Sequence, residues 1–242
     1  MAEITSYNYR IEPQDVDFTL RASVASIINY MLNVAGIDAH NKGFGVDVLQ
    51  GQSFTWVLSR LAVEVRRQPR QYEEVQIATW VNEFNRLSST RNFRMEMGDE
   101  ILACGVSQWC MFNMETRQSV DMSVLKDVYE RAMVDVESPI AHPTRIRNVV
   151  ADNALSRPVV YSDIDFNRHV NTLRYIQMMF DAIPLERIEK SAGLRIDLNF
   201  LAEARYGEVL TIGSSIEGGV YMFEVSSDSG KVLCRSRIEY FD

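Results

Sequence analysis

Leu20, Val24, Ile27, Met31 and Val34 recur at spacings of three and four, the stripe of a helix with one buried face, and the pattern ends near Gly36. Alternating runs follow: Leu61, Val63 and Val65, then Val75, Ile77, Thr79 and Val81, then Phe93, Met95 and Met97, then Leu102, Cys104 and Val106 continuing to Phe112. Period two is strand geometry, so these read as antiparallel strands. A helix over Val124 to Met133 follows them. The order then returns. Val170, Leu173, Ile176, Phe180 and Ile183 form a second stripe, stopped by Pro184, ahead of strands around Leu194 to Phe200, Val209 to Ile216, Val220 to Ser226 and Val232 to Phe241. Each half predicts one long helix against a curled antiparallel sheet, an α+β arrangement.

The repetition extends to residue identity. Asp15-Val-Asp-Phe-Thr-Leu-Arg-Ala-Ser23 resembles Asp163-Ile-Asp-Phe-Asn-Arg-His-Val-Asn171, 163 − 15 = 148 positions later, and each copy precedes an amphipathic helix. Further on, Tyr72-Glu-Glu-Val75 answers Tyr206-Gly-Glu-Val209. Two copies of one unit are expected, over 1–134 and 151–242. The stretch 135–150 contains Pro139 and Pro143, keeps no apolar periodicity, and reads as the linker.

Composition narrows the classes. With 242 residues, 46% hydrophobic and 24% charged, the chain has material for a sizeable core and is not a disordered or low-complexity sequence. The net charge of -8, with pI near 5.0, repels a phosphate backbone and argues against nucleic acid as a partner. Before residue 140 there are 13 basic and 19 acidic residues, and after it 12 and 14, so neither half is a basic module. Cys104, Cys110 and Cys234 form no CxxC pair and are odd in number, so buried free thiols are expected rather than a disulfide framework or a metal site. The amino terminus has neither a basic start nor an apolar stretch, which predicts a cytoplasmic protein without a membrane span.

Candidate chemistry lies in one place. The chain has no GxSxG elbow, Walker loop or HExxH, and Gly43-Phe-Gly45 lacks the third glycine of a dinucleotide loop. Asp163, Asp165, Asn167, His169 and Asn171 place polar groups at every second position immediately before a helix; an extended backbone would put them all on one side. Helix capping alone requires one such residue, and this run has a surplus. In the first copy Thr19 and Arg21 stand where Asn167 and His169 stand, so one copy reads as scaffold and the other as scaffold plus site. His40 and His142 adjoin loop-forming residues without an acidic partner at a telling spacing and are assigned no function. The 11 methionines, like Trp56, Trp80 and Trp109, read as core.

Asp163-Ile-Asp-Phe-Asn-Arg-His-Val-Asn-Thr-Leu-Arg-Tyr-Ile176 closely resembles the D-x-D-x-N-x-H-V-N-N-x-x-Y-I segment of the plant and bacterial acyl-[acyl carrier protein] thioesterases. Phe54-Thr-Trp-Val-Leu-Ser-Arg-Leu61, Ala78-Thr-Trp-Val81 and Ser107-Gln-Trp-Cys-Met-Phe-Asn113 resemble the family's other recurring stretches, in the same order. The resemblance implies a tandem, or double, hot-dog fold and thioester hydrolysis without a cofactor or metal. It carries the family's catalytic Asp, Asn and His onto Asp165, Asn167 and His169. In the family a glutamate lies in a later strand, just before a cysteine. Here Leu201-Ala-Glu-Ala-Arg-Tyr-Gly-Glu208 puts Glu203 at the glutamate and Ala204 at the cysteine, so a cysteine nucleophile there is ruled out.

The implied mechanism is water attack on the thioester, with Glu203 as a desolvated general base and Asn167 and His169 holding water and carbonyl. Asp165 orients its neighbours, and the helix beginning near Val170 aims N–H groups at the oxyanion while Asp163 and Asn171 brace the loop. The implied partner is acyl carrier protein, itself strongly acidic, so docking requires a local basic patch, with Arg157, Arg168, Arg174 and Arg195 as candidates. The first unit is expected to bind the acyl chain through Val24, Ile27, Ile28, Trp56 and Leu58. An acyl-CoA thioesterase and a non-catalytic acyl-chain or carrier-binding module remain alternatives. Hydratases of this fold carry D-x-N-P-x-H, whereas Asp165-Phe-Asn-Arg-His169 lacks the proline and is one residue shorter. Oligomeric state, a homodimer included, is left open.

Overall fold

The first apolar stripe forms α1, Val24–Asn41, capped by the Ser23 hydroxyl, which accepts from the Ser26 N–H at 3.1 Å. Its bounds differ from the sequence expectation at both ends. Leu20 precedes the helix in a left-handed turn (φ 59°) with its side chain 62% exposed. Gly36 does not end it, because an interior glycine costs only about 1 kcal/mol and the buried Ala35, Asp38 and Ala39 carry the helix onward.

The computed structural model describes residues 3–241, in two units, one ending at Pro143 and the other beginning at Thr144. In the first, β1 (Thr5–Arg10), β2 (Phe54–Val65), β3 (Glu74–Phe84), β4 (Ser89–Met97) and β5 (Glu100–Asn113) pair antiparallel in the order β1-β3-β4-β5-β2. A short α2 (Val46–Gln50) follows α1, and α3 (Lys126–Ala132) is shorter than the helix expected there because Met122–Leu125 winds as a 3-10 turn. Helix and sheet meet closely at Gly105 of β5, where an added Cβ would stand 3.1 Å from the Met31 sulfur.

In the second unit, β6 (Asn153–Pro158), β7 (Gly193–Phe200), β8 (Val209–Glu217), β9 (Val220–Ser227) and β10 (Val232–Phe241) have the order β6-β8-β9-β10-β7, again antiparallel throughout. This is the first unit's topology repeated strand for strand. The two outer strands, β1 and β6, are polar and joined to the sheet on one side only, which is why hydrophobic alternation did not reveal them. The helix is not long here. α4, Thr172–Phe180, has nine residues against eighteen in α1. Pro184 caps the start of α5, Leu185–Lys190, rather than only stopping α4, in keeping with the ease with which proline opens a helix.

Matching backbone hydrogen bonds set the register of the repeat. The Ala22 N–H donates to the Pro69 carbonyl as Val170 does to Ala204, and Ile11 donates to Glu73 as Val159 does to Glu208. Arg66 and Arg67 both donate to Leu102, as Leu201 and Ala202 both donate to Leu233. Glu73 therefore matches Glu208 and Tyr72 matches Gly207, which corrects the alignment of Tyr72 with Tyr206 by one residue. Side-chain similarity favoured the two tyrosines, whereas the structure keeps the left-handed residue, Tyr72 at φ 71° and Gly207 at φ 88°.

The stretch 135–150 holds neither helix nor strand but is fastened along its length. Trp80 Nε1 and Asn82 Nδ2 donate to the Val136 carbonyl, each at 3.1 Å. In the second unit the Thr144 and Ile146 N–H groups donate to Asp197 and Asn199, both at 2.9 Å. Among the described residues no helix is long and apolar enough to cross a membrane.

Candidate active site

The polar run of the second unit is not extended. After a 3-10 turn, Tyr161–Asp163, the chain folds back on itself, with an Ile164 to Val170 bridge closing a turn in which Arg168 is left-handed (φ 64°). Asp165 builds that turn: Oδ1 accepts from the N–H groups of Asn167 at 2.8 Å and His169 at 3.1 Å. One short carboxylate satisfies both amides, which an extended strand would have turned to a neighbouring strand. Asn167 is left exposed at the turn, and His169 is partly buried.

Asp163 is fully engaged in structure. It is buried, with Oδ2 accepting from Arg157 Nη2 at 2.7 Å and from the Val160 N–H at 2.9 Å. Asn171 caps α4 by accepting from the Leu173 N–H at 2.8 Å, while its own N–H donates to the Asp163 carbonyl.

The fourth member arrives from the loop after β7. Glu203 lies in irregular backbone, not within a strand. Two bonds seat it: the Val170 N–H donates to the Ala204 carbonyl at 2.9 Å, and His169 forms a backbone bridge with Arg205. The side chains then meet, His169 Nε2 standing 3.3 Å from Glu203 Oε2. The Glu203 side chain is 38% exposed, so water reaches it. Val170 is also corrected, because its N–H is committed to Ala204 and has none to offer an oxyanion.

The first unit keeps the scaffold of this loop and changes its chemistry. Asp17 Oδ1 accepts from the Thr19 N–H at 2.8 Å, as Asp165 does from Asn167. Arg21 occupies the place of His169, donating from Nε to the Thr19 hydroxyl at 2.9 Å. The repeat register makes Gln68 the counterpart of Glu203, and its amide donates to the Ala22 carbonyl at 2.8 Å. Sequence comparison missed Gln68, because the spacing between the two halves of the loop differs between copies; only the paired backbone bonds reveal it.

The other candidates divide. Arg168 is exposed at the turn, whereas Arg157 is held by Asp163, and Arg174 donates to the Ser162 carbonyl and to Gln177. Arg195 is no docking residue: it is buried, and its guanidinium forks onto Asp197 at 2.9 and 3.0 Å, the carboxylate that also holds the linker. In the first unit Val24, Ile27, Ile28 and Leu58 are buried. Trp56 packs elsewhere, against Phe44 and Tyr129 beside Ala39, with Nε1 donating to the Phe44 carbonyl at 2.9 Å. Val24 and Ala39 are fifteen residues apart on α1, roughly 22 Å, so these candidates mark the length of a helix rather than one spot.

His40 does have an acidic neighbour, Asp47 at 2.9 Å, on the exposed surface. The three thiols are free; Cys104 and Cys234 are buried, and burial pushes both upward from the ordinary thiol range, while Cys110 is only half-buried. Trp80 is core, whereas Trp56 and Trp109 are half-buried with their indole N–H groups bonded.

The model of the acyl-ACP thioesterase N-terminal domain matches residues 3–132, and that of the C-terminal domain matches residues 147–242. The chain belongs to the acyl-ACP thioesterase family. A solved acyl-ACP thioesterase from Bacteroides thetaiotaomicron is 32% identical, with a TM-score of 0.88 over 98% of each chain, and the architecture is the double hot-dog. Oleoyl-acyl carrier protein thioesterase 1 from Arabidopsis thaliana is 26% identical over 91% of this chain and 67% of its own length. The oleoyl-acyl carrier protein thioesterase of Coriandrum sativum is 24% identical over 81% of this chain and 58% of its own. The chain thus spans about three fifths of the length of the curated relatives it matches.

Proposed function

We propose that this chain hydrolyses the thioester between a fatty acyl group and acyl carrier protein, releasing free fatty acid. The observation that carries the reading is the 3.3 Å contact between His169 Nε2 and Glu203 Oε2, set beside the exposed Asn167 on a turn rigidified by Asp165. Relatives named for oleoyl-acyl carrier protein support the substrate class.

Glu203 takes a proton from water as the water oxygen attacks the carbonyl carbon. Carbonyl electrons move onto oxygen, where Asn167 and His169 supply hydrogen bonds. Collapse of this intermediate re-forms the carbonyl and breaks the carbon–sulfur bond, and the departing thiolate recovers the proton held by Glu203. Asp165 acts through the backbone, by keeping Asn167 and His169 in place. The first unit holds the hydrocarbon along α1. Each buried methylene contributes roughly 0.8 kcal/mol, so enlarging Val24, Ile27, Ile28 or Leu58 shortens the preferred chain.

Release of free thiol from matched acyl carrier protein and acyl-CoA thioesters tests the reading. Faster turnover of the carrier substrate is expected. Equal or greater efficiency on acyl-CoA favours an acyl-CoA thioesterase, and binding without thiol release favours a carrier-binding module.

A further inference from the structure

Tyr175 on α4 is 3% exposed, and its hydroxyl closes no hydrogen bond among the described residues. A buried hydroxyl gives up its hydration, so one left without a partner calls for a reason. The ring meets Phe200, the last residue of β7, at 6.3 Å between centroids, which places it beneath the loop that carries Glu203. Burial pushes the hydroxyl's titration upward and Cys234 adds to the rise, while the Ala204 N–H beside it works the other way. Ala204 is itself fully buried. Its carbonyl accepts from the Val170 N–H at 2.9 Å, and among the described residues its N–H donates to no other group. Two buried polar groups, each lacking a partner, thus adjoin directly behind Glu203.

The first unit supplies an internal comparison. Ile27 follows the helix cap Ser23 by four residues as Tyr175 follows the cap Asn171, and the Ala22 N–H donates to Pro69 as Val170 does to Ala204. The counterparts of Tyr175 and Ala204 are therefore Ile27 and Pro69. Isoleucine has no hydroxyl and proline no N–H, so both groups are missing together. The loop still folds over its helix there, which shows that the scaffold does not need them. They occur only in the copy where Glu203 replaces Gln68.

We propose that Tyr175 is a positioning residue for Glu203, its hydroxyl accepting from the Ala204 N–H and so fixing the peptide between Glu203 and Ala204, an inference that rests on the thioesterase reading above. Val170 holds residue 204 by its carbonyl, and Tyr175 holds it by its N–H. With both sides held, the direction in which Glu203 leaves the backbone toward His169 is set. The bond is open in the free protein and closes as substrate fills the site, as hydrogen bonds in active sites commonly do. Substrate does not reach the buried Tyr175 itself, so the hydroxyl acts through Glu203 and not on the thioester.

The experiment measures kcat and KM for thiol release from an acyl carrier protein thioester by the unaltered protein, Tyr175→Phe, Glu203→Ala and the double variant. Tyr175→Phe removes one oxygen and keeps the ring. It is expected to lower kcat by about tenfold, the rate equivalent of one hydrogen bond, with KM unchanged to within about twofold. Added to Glu203→Ala it is expected to cost nothing more, because no base remains to be positioned. A kcat within about twofold of normal in Tyr175→Phe overturns the proposal. So does a loss carried by KM, or one that multiplies with the loss from Glu203→Ala, since either would mean that the hydroxyl acts independently of the base. If circular dichroism shows that Tyr175→Phe does not fold, Ala204→Pro removes the other partner in a backbone that the first unit builds with Pro69. The same loss of about tenfold in kcat is then expected, and normal turnover overturns the proposal. If the unaltered protein releases no thiol, the thioesterase reading itself fails and takes this role with it, an outcome distinct from full turnover by Tyr175→Phe.

Discussion

Glu203 is the least conspicuous residue of the candidate site and the one on which the proposed mechanism turns. It lies in a loop, half-exposed, and the backbone contacts of Val170 with Ala204 and of His169 with Arg205 bring it to His169. Replacing Glu203, His169 or Asn167 by alanine is expected to lower thioester turnover by roughly two orders of magnitude or more, the usual worth of a positioned base or oxyanion donor. Steady-state thiol release by proteins with unaltered circular dichroism checks this; near-full activity in Glu203→Ala would remove it as the base. The proposed chemistry uses no cysteine. Ala204 stands where a thiol would have to be, and burial raises the Cys104 and Cys234 thiols away from the thiolate form that a nucleophile needs. Changing Cys104, Cys110 and Cys234 one at a time to serine is expected to cost stability at the buried positions while turnover per folded molecule persists. Loss of turnover in one folded variant would reopen a covalent route.

Among the elements, α1 and β4 share a contact that hydrophobic periodicity passes over. Asp38 on α1 and Arg91 on β4 are both buried and meet at 2.7 Å, with Lys42 at 2.9 Å from the other carboxylate oxygen. Burial alone would push the Asp38 carboxyl up, but Arg91 and Lys42 outweigh it and hold the group below the ordinary carboxylate range. The unfolded chain, titrating near pH 3.9, then binds the proton more readily than the folded one. Asp38 therefore contributes stability that is present above about pH 4 and lost as pH falls further. Asp38→Asn, which leaves Arg91 buried without its counter-ion, is expected to cost about 3 kcal/mol at neutral pH and to show a smaller additional loss on acidification. Urea midpoints at pH 7 and pH 3 test both parts, and an equal acid loss in the two proteins would reject the assignment. Strands such as β3 and β7 were legible because one row of apolar residues betrays them. The bounds of α1, the polar outer strands and the Asp38–Arg91 contact were not, because each is decided by a partner distant in sequence.

At the scale of the whole molecule the duplication explains both what could be read and what could not. Matching residues at Asp15 to Ser23 and Asp163 to Asn171 made the repeat and its altered chemistry visible. The turn itself was not legible, since alternate polar positions fit an extended strand and are produced equally well by a carboxylate accepting from amides two and four residues ahead. Because both units build that turn, stability and activity should separate. Asp165 accepts from two backbone N–H groups and Asp17 from the N–H and hydroxyl of Thr19, so Asp17→Ala and Asp165→Ala are expected to cost similar stability, roughly 1–2 kcal/mol apiece. Activity should respond to only one of them. Thr19, Arg21 and Gln68 offer no carboxylate base where Asn167, His169 and Glu203 stand, so one reaction centre per chain is expected from two loops. A protein carrying both His169→Ala and Glu203→Ala should accordingly retain no more than about one hundredth of normal turnover. Thr19→Ala with Gln68→Ala should reduce turnover per folded molecule by less than about threefold. If the second-unit double variant instead kept half the activity, the first loop would be catalysing too, and the division drawn from Gln68 opposite Glu203 would have to be abandoned.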